Sequence, residues 1–178
     1  MKDNIRLLVT IGFMAVLTLM FSLATISLLQ LQSINTRMEK LVEVTNMKTA
    51  AANDMRDAVR LRADSLKNMR LIQDPFERDA EHQRFISYAG KYRTARERLV
   101  SLGMDERETV LNNQLQQLTR ASQPYNDDAS SLLMYEAATA ETSIVMEQAF
   151  KQQQLILGIL GELVQLAQPK TQEDRRTF

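Results

Sequence analysis

Residues 7–29 read LLVTIGFMAVLTLMFSLATISLL. As a helix these 23 residues rise about 35 Å, enough to cross a hydrocarbon core of about 30 Å. No charged residue occurs anywhere from Leu7 to Thr36. The polar residues within the run are Thr and Ser, whose hydroxyls bond back to the carbonyls of their own helix. Lys2 and Arg6 precede it, which places the short N-terminus, residues 1–6, in the cytoplasm and exports the rest. A cleaved signal peptide is the rival reading. Its apolar core spans only about 7–15 residues and ends at small residues. Ser22-Leu23-Ala24 is a weak match to such a site, and the apolar run continues past it. The segment is apolar on all faces, as a span is and an amphipathic core helix is not. The sequence therefore predicts an uncleaved membrane anchor over 7–29.

C-terminal to the anchor, apolar residues recur at spacings of three and four: Leu31, Ile34, Met38, Leu41, Thr45, Lys48, Ala52, Met55, Val59, Arg62, Leu66, Met69. That spacing puts them on one helical face, interrupted at Lys48 and Arg62. No glycine or proline occurs between Gly12 and Pro75, so the membrane helix is expected to continue unbroken to about residue 73. Asp74-Pro75-Phe76-Glu77 then marks a boundary, with Asp74 as cap, Pro75 at the first helical position and Glu77 completing a capping box.

A second stripe runs Phe85, Tyr88, Tyr92, Ala95, Leu99, Leu102, and Gly103 supplies a C-terminal cap. Asp105 and Glu108 repeat the capping pattern. The third stripe is Leu111, Leu115, Leu118, Ser122, Tyr125, Ala129, Leu132; it keeps phase across Pro124, which predicts one kinked helix. The fourth is Thr142, Met146, Ala149, Gln153, Ile156, Leu160, Leu163, Ala167. The expected helices are thus about 30–73, 75–102, 106–135 and 139–168. Together they form an all-α, antiparallel, up-down-up-down four-helix bundle over 30–168, continuous with the membrane helix. Residues 169–178 form a membrane-proximal tail, and Pro169 interrupts a rigid continuation of the last helix. With the first bundle helix leaving the bilayer, the fourth returns toward it, and a second span is expected to follow.

Composition narrows the function. Of 178 residues, 22 are basic and 22 acidic, and zero net charge argues against a nucleic-acid partner. There is no cysteine and one histidine, so disulfides, thiol nucleophiles and histidine metal centres are not expected. Five glycines and three prolines are far below average usage, about 12%, and turn-rich sheet folds need more. No glycine-rich phosphate loop, nucleophile elbow or supported His-Asp-Ser arrangement occurs. The chain is therefore read as non-enzymatic and without a cofactor. His82, near Asp79 and Glu81, lacks further ligands for a metal. The ten methionines suit adaptable core filling. Tyr88, Tyr92 and Tyr125 sit in the stripes, as core residues or as a pocket lining.

The architecture resembles the four-helix-bundle extracytoplasmic sensor domain of bacterial transmembrane receptors of the methyl-accepting chemotaxis type, which also occurs on diguanylate cyclases and histidine kinases. DPFERD opens the second helix here. MRDAVRLRADSLKNMRLIQDPFERD with YRTARERL resembles sensor regions of the cyclic-di-GMP proteins. The resemblance covers essentially residues 1–178. It implies a periplasmic or extracellular bundle on the inner membrane, a homodimer packed through its first helices, and a cytoplasmic output module beyond a second span. Its ligands are a small carboxylate or a periplasmic binding protein. In aspartate-binding relatives, arginines of the first helix clamp the ligand and a threonine of the fourth assists. On this chain those positions correspond to Arg56, Arg60 and Arg62, with Thr139 or Thr142, although spacings of four and two depart from the relatives' pattern.

From the residues alone, guanidinium forks at Arg56 and Arg60 suit a carboxylate. A solvated face bridged to Asp54, Asp57 and Asp64 is the plainer account. Arg62 falls within the apolar stripe. It must meet a ligand or an acidic partner, or lie where the stripe drifts toward solvent. A membrane-anchored structural or dimerisation bundle with no small ligand is the alternative function.

Overall fold

The computed structural model describes residues 2–135 and 140–168, with side chains throughout except at 2–13, 15–18, 24, 33, 35 and 37. All regular structure among them is helical: α1 (Lys2–Leu71), α2 (Pro75–Ser101), α3 (Glu106–Tyr135) and α4 (Ala140–Ala167). The chain divides into two compact units, Met1–Glu43 and Val44–Phe178, and α1 contributes to both.

The first unit is single helix. Its described apolar side chains, among them Leu19, Phe21, Ile26, Leu31, Ile34 and Met38, are exposed. Thr25 donates its hydroxyl to the Phe21 carbonyl at 2.8 Å and Thr36 to that of Gln32 at 3.0 Å, the back-bonding expected of hydroxyls in an apolar helix. Among the described residues no helix is long and apolar enough to cross a membrane. Most of the side chains of 7–29 lie outside that set, so the span rests on its sequence alone. Thr139, Pro169 and the tail 170–178 also lie outside the described residues.

In the second unit, cross-helix bonds fix direction and neighbourhood. Thr49 donates to the Ala167 carbonyl and Gln153 to that of Val59, while Arg70 reaches Ser143, so α1 and α4 run antiparallel side by side. Arg98 meets Asp54 and Asn68 meets Glu81, which sets α2 antiparallel to α1. Arg96 meets Asn112 and Tyr92 meets Thr119, which does the same for α2 and α3. The result is a four-helix bundle in cyclic order.

Local chemistry explains the boundaries. The Asp74 carboxylate accepts from the amides of Phe76 and Glu77 at the start of α2. Gly103 takes the left-handed backbone, φ 77°, that ends α2. Asp105 and Glu108 form the full reciprocal box, each carboxylate accepting from the other's amide at 2.8 Å. Arg78 donates to the Ile72 carbonyl at 2.8 and 3.1 Å and to that of Leu133 at 3.3 Å, closing the C-terminal end of α1 and pinning α3 nearby.

Burial follows the expected stripes in α2 and α4. In α1 partial burial begins at Val44 and full burial at Ala51, so Leu31, Ile34, Met38 and Leu41 lie outside the core. In α3 the stripe is corrected by about one position at each end: Asn112 and Leu133 are buried, Leu111 and Leu132 only half-buried, and Tyr125 is exposed. Glu108 and Asn112 enter the interior because Lys48 and Arg96 partner them. Pro124 lies inside α3 without dividing it.

Two apolar clusters result. One gathers Ala52, Met55, Leu99, Leu115, Leu160 and Leu163 at the end bearing the α2–α3 turn. The other gathers Leu66, Met69, Phe85, Ala129, Leu133 and Met146 at the opposite end.

Glu81 is buried beside the second cluster and bonded to Arg84 at 2.8 Å. Burial alone raises its carboxyl pKa, but the polar groups of Ser65, Arg84 and Asn68 and the Arg84 charge outweigh that and hold it below the ordinary 4.5. A lowered folded value stabilises the fold above the unfolded pKa and loses that contribution as pH falls through the folded value. Glu81→Gln is therefore expected to be less stable than wild type at pH 7. It should also lose less stability than wild type on acidification below about pH 4.5, as read by urea melts at each pH.

Candidate functional site

Between the two apolar clusters the interior turns polar. A cavity of about 290 Å³ opens there, drawing residues from all four helices. That volume sits at the lower end of small-molecule sites, about 300–1,000 Å³. Ala58, Val59 and Ala63 of α1 and Ala89 of α2 are short, and Ile156 of α4 closes one side. Small side chains at facing positions leave room that a Leu or Phe layer would fill.

The cavity exists because the stripes break at one level. Arg62 interrupts the α1 stripe, Ser122 the α3 stripe and Gln153 the α4 stripe, and the antiparallel register brings all three together. From α2 come Tyr88 and Tyr92, both half-buried, with Arg93 and Arg96.

Arg62 is the most constrained of these groups. Its guanidinium carbon stands 4.3 Å from the ring centroid of Phe85, a cation–π contact with the second cluster. His82 stacks on the other partner of that contact, 6.2 Å from the Phe85 centroid. Burial lowers the Arg62 pKa, and the Asp127 carboxylate raises it part of the way back. The side chain keeps its charge, since arginine does not deprotonate in proteins. Its Nε is buried and has no hydrogen-bond partner. A buried donor left unmade costs about 1–3 kcal/mol, more beside a charge.

Around it, Arg96 donates from Nε to the Asn112 amide oxygen at 2.8 Å. Tyr92 contacts the Thr119 hydroxyl at 3.4 Å, and burial raises its phenol pKa, partly offset by Thr119 and Arg96. Three guanidinium groups and one carboxylate, Asp127, line the cavity. The field there is positive, and an anion of small size is the species it favours.

Of the arginines and threonines singled out from sequence, only Arg62 lines this cavity, and of the three tyrosines Tyr88 and Tyr92 do while Tyr125 does not. Arg56 is half-buried, with an unpartnered Nε of its own, and Arg60 is exposed; neither reaches the cavity wall. Of the three acidic partners expected for them, Asp54 is engaged by Arg98 and Asp64 by Lys67. Thr142 is fully buried among the residues of the second cluster's end, away from the cavity. Lys48, the other break in the α1 stripe, has a structural explanation: it bonds Glu108 at 2.7 Å. Arg93, Arg96 and Asn126 fall outside the apolar stripes, where no periodicity marks them, and Asp127, which with Asp128 reads in sequence as an acid pair beside a turn or cap, lies instead within α3.

No family model, curated protein or solved structure matches this chain.

Proposed function

We propose that this chain is the extracytoplasmic ligand-sensing input domain of a bacterial transmembrane signal-transduction receptor. It is anchored in the inner membrane by residues 7–29, acts as a homodimer, and passes a conformational signal to a cytoplasmic output module. The exposed apolar side chains from Leu19 to Leu29 support the anchor, since lipid would cover them. The observation that carries the reading is the half-buried Arg62, with its Nε enclosed, in a positive cavity between two apolar clusters. Within the chain that charge meets the Phe85 ring and the more distant field of Asp127, and an anionic ligand would add a direct partner.

The cavity is also placed to bias α4 against α1. Gln153 and Ile156 of α4 line it, and Gln153 bonds the Val59 carbonyl of α1 beside it. At the first cluster's end, Thr49 bonds the Ala167 carbonyl at 2.6 Å. A ligand that prefers one placement of α4 over another shifts the population of the two, and differential affinity is all the coupling requires.

A panel of small carboxylates screened by thermal shift on the full chain in lipid nanodiscs tests this. A specific acid should raise the melting temperature, with stabilisation of about 2.7 kcal/mol at a hundred times its Kd. Arg62→Met should abolish the shift. A flat response across the panel would favour the structural or dimerisation bundle, which the exposed stripe Leu31, Ile34, Met38 and Leu41 also suits.

A further inference from the structure

The two sides of the cavity differ in chemistry, one cationic and the other largely neutral. On the α1–α2 side stand Arg62, Arg93 and Arg96, whose guanidiniums only donate. On the α3–α4 side the polar groups other than Asp127 are neutral, and the hydroxyl hydrogens are committed to backbone. Thr119 gives its hydroxyl hydrogen to the Leu115 carbonyl at 2.6 Å, and Ser122 gives its own to that of Thr119 at 2.9 Å. With the Thr119 hydrogen used, Tyr92 must be the donor in its contact with Thr119. Asn126 gives an amide hydrogen to the Ser122 carbonyl at 2.8 Å, and Gln153 gives one to that of Val59. What this side keeps for an occupant is neutral: lone pairs on two hydroxyl and three amide oxygens and the remaining amide hydrogens of Gln123, Asn126 and Gln153, with the Asp127 carboxylate at the exposed edge.

Resting on the sensing reading above, we infer that the occupant is a small hydroxylated carboxylate lying across a single bundle. Its carboxylate meets the arginines of α1 and α2, and its hydroxyls, each both donor and acceptor, meet the neutral groups of α3 and α4. Neutral acceptors are spread from Thr119 to Asn126, about 10 Å along α3. Several neutral hydroxyls match that spread, whereas an amino acid brings one ammonium, for which only Asp127 carries the complementary charge.

Four probes of matched six-carbon length separate the contributions: D-gluconate, hexanoate without hydroxyls, D-glucitol without the carboxylate, and L-norleucine with one ammonium. Each is titrated calorimetrically into the full chain in nanodiscs. D-gluconate should bind at least tenfold more tightly than the other three. Arg62→Met should weaken D-gluconate at least tenfold, and Asn126→Leu should weaken D-gluconate while leaving hexanoate unchanged. Hexanoate equal to D-gluconate, or L-norleucine tightest, overturns the hydroxyl assignment and leaves the sensing reading standing. The same holds if none of the four binds while another acid of the panel above raises the melting temperature. If neither these probes nor the panel gives any response, both readings fall.

Discussion

Lys48→Met is expected to cost the bundle about 3 kcal/mol. The Lys48 side chain is 16% exposed and that of Glu108 only 4%, and the two meet at 2.7 Å. Removing one partner of a buried pair strands the other charge, which costs about 3–5 kcal/mol, whereas replacing both is often nearly neutral. Glu108 would keep the Asp105 amide, which partly solvates it and places the cost at the low end of that range. Neutralising the stranded group in Lys48→Met/Glu108→Gln should therefore recover more than half of the loss while retaining an acceptor for that amide. Chemical denaturation of the four proteins of the cycle reads the coupling directly. If Lys48→Met alone changes stability by less than about 0.5 kcal/mol, within the range of ordinary surface substitutions, the pair is not the fastener between α1 and the start of α3.

The second large effect is in the apolar clusters. Leu160 is 0% exposed in the first and Leu66 is 1% exposed in the second. Leu160→Ala and Leu66→Ala should each cost about 2–5 kcal/mol, the lost transfer energy plus the void left behind. Because a polar cavity separates the clusters, the two costs should add within about 0.5 kcal/mol in the double variant. A coupling well above that would mean the clusters form one packed core and the polar layer does not divide them.

These two sites also show what the sequence could and could not reveal. The stripe of α4 is legible because its apolar residues keep a strict three-and-four spacing from Thr142 to Ala167, and packing obeys it. Asp74, Asp105, Glu108 and Gly103 are legible because capping is a local matter between residues a few positions apart. Lys48 and Arg62 look alike in sequence, as charges within an apolar stripe. What separates them is whether an acid on another helix bonds the charge directly, as Glu108 does Lys48, or acts only from a distance, as Asp127 does on Arg62, which depends on the register between helices and not on periodicity within one. The same reason hides the cavity. Ser122 and Gln153 each read as a tolerable lapse in their own stripe, and only the antiparallel alignment brings them to the level of Arg62. Arg56 and Arg60 draw attention through helical spacing, yet proximity along one helix says nothing about what faces it across the bundle.

The chain contains no cysteine, so a single introduced thiol reports on one place. Gln123 lines the cavity and is exposed, and Thr94 lies in the separate groove between α1 and α2. Maleimide labelling rates of Gln123→Cys and Thr94→Cys, measured in nanodiscs with and without the panel of small carboxylates, test most directly whether the middle of the bundle is the binding site. An acid that slows labelling at Gln123→Cys at least tenfold, leaves Thr94→Cys unchanged, and loses its effect when Arg62→Met is added is the predicted result. Labelling at Gln123→Cys that no acid slows, or protection that survives Arg62→Met, would contradict it.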